Sequence, residues 1–256
     1  MNQPTWALVL AGCFGAVIGS FLNVCIYRLP LDQSIVWPAS ACPGCHRLLG
    51  WFENIPILSF LWLRGRCRTC RIPISIRYPV VEAITALLFV GSWWYFGPSP
   101  LFASRVVLGC ALIVLFAIDL EHHLLPNVIT LPGIFVGLAF SLIAEPGWQA
   151  SLLGILLGGG SLYAIAEAYY YVRHEEGLGM GDVKMLAMVG AFLGWKLTIV
   201  TLMLASFSGS LIGVAMIVMR RGDMKYALPF GTFLSLGAAL AATVGTPLLN
   251  WYVRFW

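Results

Sequence analysis

Asp182 lies in Gly179-Met180-Gly181-Asp182-Val183-Lys184, a glycine-flanked carboxylate in one of the most apolar stretches of a chain that is only 10% charged. A second acid, Asp119, ends the apolar run from Leu101 to Ile118. Acids inside apolar segments are costly and tend to mark functional sites. Two carboxylates brought close share a proton, because both cannot ionise readily. Such a pair can activate water and protonate a scissile carbonyl oxygen or a leaving amine. Asp119 and Asp182 are therefore expected to do aspartyl protease chemistry. The competing readings are structural: Asp182 could cap the helix that follows it, and Asp119 could simply reach water. A cap leaves Gly179 and Gly181 unexplained, and these are expected to permit unusual dihedrals and the close approach of a bound chain. At a helix C-terminus, Asp119 meets the negative end of the macrodipole, so nothing local stabilises its charge. Lys184 either supports this site, by holding substrate or tuning Asp182, or anchors the chain at the membrane face.

Other catalytic constellations are poorly supported. No G-x-S-x-G or H-E-x-x-H occurs, and Gly179 to Asp182 lacks the glycine spacing of a dinucleotide loop. Glu121, His122 and His123 are read as a solvated interfacial loop rather than a proton relay. Glu175 and Glu176 invite the same reading, whereas Glu167 is a candidate to line a polar cavity.

Two C-x-x-C pairs, Cys42-Pro43-Gly44-Cys45 and Cys67-Arg68-Thr69-Cys70, form a second constellation. Each tight turn aims two thiolates at one ion, so the four cysteines are expected to bind tetrahedral zinc, closed to water and hence structural. His46 is a spare ligand that four thiolates make unnecessary. Cys13, Cys25 and Cys110 lie in apolar runs and read as packed side chains.

The elements that carry these residues are membrane helices. A 256-residue chain that is 60% hydrophobic, with a mean hydropathy of +0.88, has too little polar surface for a soluble globule. Apolar stretches recur at about 6–27, 80–96, 101–119, 124–144, 150–172, 197–219 and 228–253. A shorter one at 183–195 is an eighth, expected to be tilted, buried or only partly inserted. The first stretch is read as retained rather than cleaved. Gly15/Gly19, Gly154/Gly158 and Gly209/Gly213 are spaced for close helix packing, favouring a helical bundle over a barrel. The expected architecture is all-α and polytopic. It comprises a first transmembrane helix (1–27), a cytoplasmic four-cysteine module (28–79) and a membrane-embedded bundle (80–256). With the N-terminus outside, eight spans place all but Arg105, Lys196 and Arg254 of the fifteen Lys and Arg residues on the cytoplasmic side. Arg220, Arg221 and Lys225 belong to that cytoplasmic set, and Trp256 to an outer aromatic belt. The net charge of +4 is thus topological and does not point to nucleic acid. Cytoplasmic placement also disfavours disulfides among the four cysteines.

In this order, the motifs resemble the type IV prepilin leader peptidases of the membrane-embedded GxGD aspartyl protease group. They are Gly19-Ser20-Phe21-Leu22-Asn23-Val24 with Arg28-Leu29-Pro30, the two cysteine pairs, Asn54-Ile55-Pro56, Arg77-Tyr78-Pro79-Val80-Val81-Glu82, Ile118-Asp119-Leu120, Leu125-Pro126, Gly179 to Lys184, and Pro229-Phe230-Gly231. The resemblance implies that Asp119 and Asp182 are the catalytic pair. It implies removal of leader peptides from prepilins and type II secretion pseudopilins, on the cytoplasmic side of the bacterial inner membrane. It further implies N-methylation of the new amino terminus with S-adenosylmethionine, since the four-cysteine module is characteristic of members that methylate. Glu121 and Asn127 stand where the family commonly has aspartates. Asn23, Glu53, Asn54, Arg77 and Glu82 are polar residues around the module to which no methyltransferase role is assigned. The rival class is a proton- or cation-coupled transporter or channel that uses the intramembrane acids.

Overall fold

A computed structural model of the chain describes residues 3–174, 179–219 and 229–254. Among them the regular elements are helices, with two isolated β-bridges. Glu175, Glu176, Arg220, Arg221, Lys225 and Trp256 lie outside the described residues. The chain divides into two compact units, Met1–Phe102 and Ala103–Trp256.

In the first unit, α1 (Thr5–Arg28) packs along α3 (Arg77–Phe96). Glycine sets their distance. A Cβ on Gly15 would lie 2.8 Å from the Ala86 Cα, and one on Gly19 would lie 2.7 Å from the Glu82 Cα. This is the small-residue contact by which helices associate where water offers no hydrophobic drive. Between these helices the chain forms the cysteine module, which contains only the short helix α2 (Leu58–Trp62) and two 3-10 turns. From residue 29 to 76, only Cys42, Glu53 and Cys67 are buried. The module has almost no apolar core of its own.

The second unit is built on α4 (Pro100–His122, whose first turn falls in the first unit), α5 (Asn127–Ser141), α6 (Trp148–Arg173), α7 (Met180–Val218) and α8 (Phe230–Val253). At 39 residues α7 is about 58 Å long, nearly twice a hydrocarbon core of about 30 Å. It is broken at Gly194, where φ 72 and ψ 168 describe a conformation open to glycine alone. From Met185 to Leu193 the stretch before the break is apolar on every side, and it is buried on every side. Met185, Leu186, Met188, Val189 and Ala191 are fully enclosed. Of the three states expected for the short segment at 183–195, burial is the one found.

The glycines of α6 and α7 bring backbone against backbone, and a Cβ on either Gly154 or Gly190 would overlap the other residue's main chain. Gly158 meets the Leu186 carbonyl in the same way, while the Ser151 hydroxyl donates to the Ala191 carbonyl at 2.8 Å. Gly209 lies at ordinary contact distance from the Phe233 ring, without the close approach seen at the other two pairs.

All eight expected segments are helical where described, two of them being the halves of α7. Among the described residues, six helices are long and apolar enough to cross a membrane: α1, α3, α4, α6, α7 and α8. The chain is a multi-pass membrane protein. Expected to span at 124–144, α5 has only 15 residues, a rise of about 22 Å, because Pro126 delays its start and the chain turns away after Ser141.

Candidate active site

Asp119 lies in the last turn of α4, 5% exposed. Its Oδ2 accepts two hydrogen bonds from Thr232, one from the backbone N–H at 2.6 Å and one from the hydroxyl at 3.0 Å. Thr232 is the third residue of α8, and that first turn carries N–H groups without intrahelical partners and the positive end of a dipole. The carboxylate expected to meet only the negative end of its own helix therefore meets the positive end of another. The partner is 113 residues away in sequence, which is why the local argument missed it. A signal was present: Thr232 directly follows Pro229-Phe230-Gly231.

Asp182 occupies the third position of α7, half-buried. Gly179 holds the cap position and no side chain caps the helix, so the capping reading of Asp182 does not hold. The glycines also serve differently from the expectation. Gly179 has ordinary extended dihedrals, φ −70 and ψ 133, and Gly181 is helical. What both provide is room. A Cβ on Gly179 would lie 3.2 Å from Asp182 Oδ2, and one on Gly181 would lie 2.9 Å from the Leu125 Cβ.

Leu125 joins the two acids. It packs against Gly181, next to Asp182, and its Cδ1 would lie 2.9 Å from a Cβ on Gly231, which would itself be 3.0 Å from Asp119 Oδ2. The starts of α7 and α8 and the end of α4 thus converge on one leucine, with the two carboxylates within electrostatic reach of each other. Lys184 Nζ donates to Asn127 Oδ1 at 2.9 Å, tying the start of α7 to the start of α5. That gives Asn127 a structural use, in the loop where its identity departs from the resemblance. His122 and Glu121 form an exposed 4.0 Å pair, solvated as expected but in the last turn of α4 rather than in a loop. Glu167 lies beside Tyr163, one turn earlier on the exposed side of α6.

In the first unit, the four cysteine sulfurs all lie within 4.8 Å of one another, with Cys42 to Cys70 at 3.6 Å and Cys45 to Cys67 at 4.0 Å. Bonds of about 2.3 Å to a tetrahedral zinc would set the sulfurs about 3.8 Å apart, so the donor set fits a metal ion. The two halves repeat one turn. Cys42 and Cys67 each donate backbone N–H five residues ahead, to Arg47 and Ile72, and the residue after each second cysteine, His46 or Arg71, has positive φ. His46 is exposed and outside the sulfur cluster. The backbone N–H groups of Cys70 and Thr69 bring the Cys67 thiol down to about 6, favouring the thiolate that a metal requires. Beside the cluster, Glu53 is buried and spent within the module. It pairs with Arg47 at 2.6 Å and accepts the Gly50 N–H at 2.8 Å, which together hold its carboxyl below the usual range.

Residues 13–96 match the family model of the bacterial peptidase A24 N-terminal domain, and residues 106–214 match that of the type IV leader peptidase family. Several relatives named prepilin leader peptidase/N-methyltransferase are similar. The one from Aeromonas hydrophila is 36% identical over 94% of this chain and 91% of its own length. That of Pseudomonas aeruginosa is 35% identical over 99% and 96%, and that of Myxococcus xanthus 43% identical over 84% and 64%. The chain belongs to the type IV leader peptidase family. No solved structure matches it. Membership makes it one of a family of peptidases, and nothing favours a transporter. The leader peptidase relatives extend across both units, so the cysteine module and the paired acids both fall within the shared length.

Proposed function

We propose that this protein removes the leader peptide from type IV prepilins and type II secretion pseudopilins, with Asp119 and Asp182 as the catalytic pair. The observation that carries the reading is the meeting of both acids around Leu125, in a chain of the leader peptidase family. One carboxyl holds a proton and the other is ionised. The ionised carboxylate draws a proton from water as the water oxygen attacks the scissile carbonyl carbon, and the protonated partner donates to the carbonyl oxygen. The C–N bond then breaks and the proton passes to the departing amine. Thr232 fixes Asp119 through one oxygen, and Gly179 and Gly181 keep the space in front of Asp182 open. The bond to be cut must leave its helix first, since a helical carbonyl is already engaged.

The inner-membrane location is proposed from the family, and the cytoplasmic placement of the acids and the cysteine module is supported by the distribution of Lys and Arg. Zinc in the four-cysteine cluster is part of the proposal, as a structural ion that compensates for a module without a core. Methylation of the exposed amino terminus is proposed from the names of the relatives, with S-adenosylmethionine supplying the methyl group. The experiment is mass spectrometry of a prepilin co-expressed with the protein and with Asp119→Asn or Asp182→Asn. Each variant should cut slower by roughly 10²–10⁴-fold or more. Full cleavage by either one sinks the pair, and the mass of the product reads methylation in the same spectrum.

A further inference from the structure

At the foot of the α1–α3 seam, two buried acceptors have capacity to spare. Asn23, 2% exposed, donates its Nδ2 to the Tyr78 carbonyl at 3.0 Å, and its buried Oδ1 has no partner among the described residues. One turn along α3, Glu82 is 7% exposed. Among the described residues its carboxylate meets no cation; it accepts the Ile57 N–H at 2.7 Å and lies beside Ser20. A buried carboxylate is stable when a cation faces it, and an unmet buried carbonyl costs on the order of 1–3 kcal/mol. Glu53, the other buried carboxylate of this unit, has its cation in Arg47.

A third observation marks the same place. Ile57 stands at φ 60 and ψ −51, with the Leu58 N–H turned back to the Pro56 carbonyl. This is the strained form of the γ-turn, rare for any residue and least suited to a β-branched one. It is held there by the Glu82 carboxylate, and strain of this kind persists where the surroundings enforce it.

We propose that the Asn23–Glu82 seam is a binding site for a primary ammonium group, whose three N–H donors match the unmet amide oxygen and the carboxylate that lacks a cation. Resting on the reading that methylation follows cleavage, the site has two possible sources for that group. One is the amino terminus of the processed peptide, and the other is the amino-acid ammonium of the methyl donor.

The test uses the full-length protein in detergent or vesicles and compares it with Glu82→Gln, which still accepts from Ile57, and Asn23→Leu, which keeps the branched shape without an acceptor. Binding is measured directly, for a pre-cleaved peptide against its N-acetylated form and for S-adenosylmethionine against its deaminated analogue. The wild type should prefer the free amine at least tenfold in one pair, and both variants should erase that preference while leaving the blocked ligand's affinity unchanged. The pair that responds identifies the source. Equal losses for free and blocked ligands, or none, mean a structural seam only and overturn the proposal. If Glu82→Gln loses its metal or its cleavage of prepilin, Asn23→Leu alone decides. A wild type that never methylates overturns the methylation reading, yet the binding comparison still decides the ammonium site.

Discussion

Thr232 gives Asp119 two donors on one oxygen, and the hydroxyl can be removed without touching the backbone N–H. A hydrogen bond to a charged group contributes about 1.5–3 kcal/mol, so Thr232→Val should slow leader cleavage roughly 10- to 100-fold while expression holds. Single-turnover cleavage of a prepilin in vesicles checks this. Gly231→Ala should be worse, because the new methyl would press on both Leu125 and the Asp119 carboxylate. In the module, Glu53 titrates below its usual range, so its contribution is full above that range and is lost as pH falls through the lowered value. Glu53→Gln should therefore raise hydrogen exchange at residues 47–54 at neutral pH, and its difference from wild type should vanish in acid. Equal exchange at neutral pH would show that the pair with Arg47 contributes nothing.

Among the elements, the break in α7 makes the sharpest demand. Gly194→Ala introduces a side chain at φ 72 and sets it 2.8 Å from the Pro146 ring. It should lower the melting temperature by several degrees, corresponding to roughly 1–3 kcal/mol of local strain. Gly91→Ala on α3, with nothing within 4 Å, should be neutral or stabilising. A thermal-shift comparison of the two variants separates strain from the mere addition of a methyl group. The break was only partly legible in sequence. The run from 183 to 195 was visible as apolar and short, and the burial of 185–194 follows from that part having no polar face. What no local pattern shows is that Gly194 faces Pro146 or that Gly154 faces Gly190, since these pairings belong to chain segments tens of residues apart. The cysteine turns were legible for the opposite reason, because a C-x-x-C spacing carries its geometry within four residues. Asp119 and Asp182 stood out as charges against apolar runs, whereas Thr232, an ordinary residue in an apolar helix, did not.

For the molecule as a whole, replacing Cys42 and Cys67 by serine should reduce bound zinc to background by elemental analysis, with leader cleavage largely kept. Parallel loss of cleavage would mean that the module also supports the peptidase unit. The proposed topology places residue 33 inside and residue 97 outside. Single cysteines at these positions should react with an impermeant maleimide from opposite faces of sealed vesicles, and reaction from one face would reject the charge-derived orientation. The contact of Gly154 with Gly190 has one more consequence. With the Ser151 hydroxyl bonded to the Ala191 carbonyl beside it, this close contact sets the register of α7 against α6, and so the count of turns from there to Asp182. One residue inserted between 183 and 189 would swing the carboxylate by about 100° and shift it about 1.5 Å along the axis. Under the proposed function, the height of the cut is counted out in residues of a buried helix, from a fixed zero where two glycines touch.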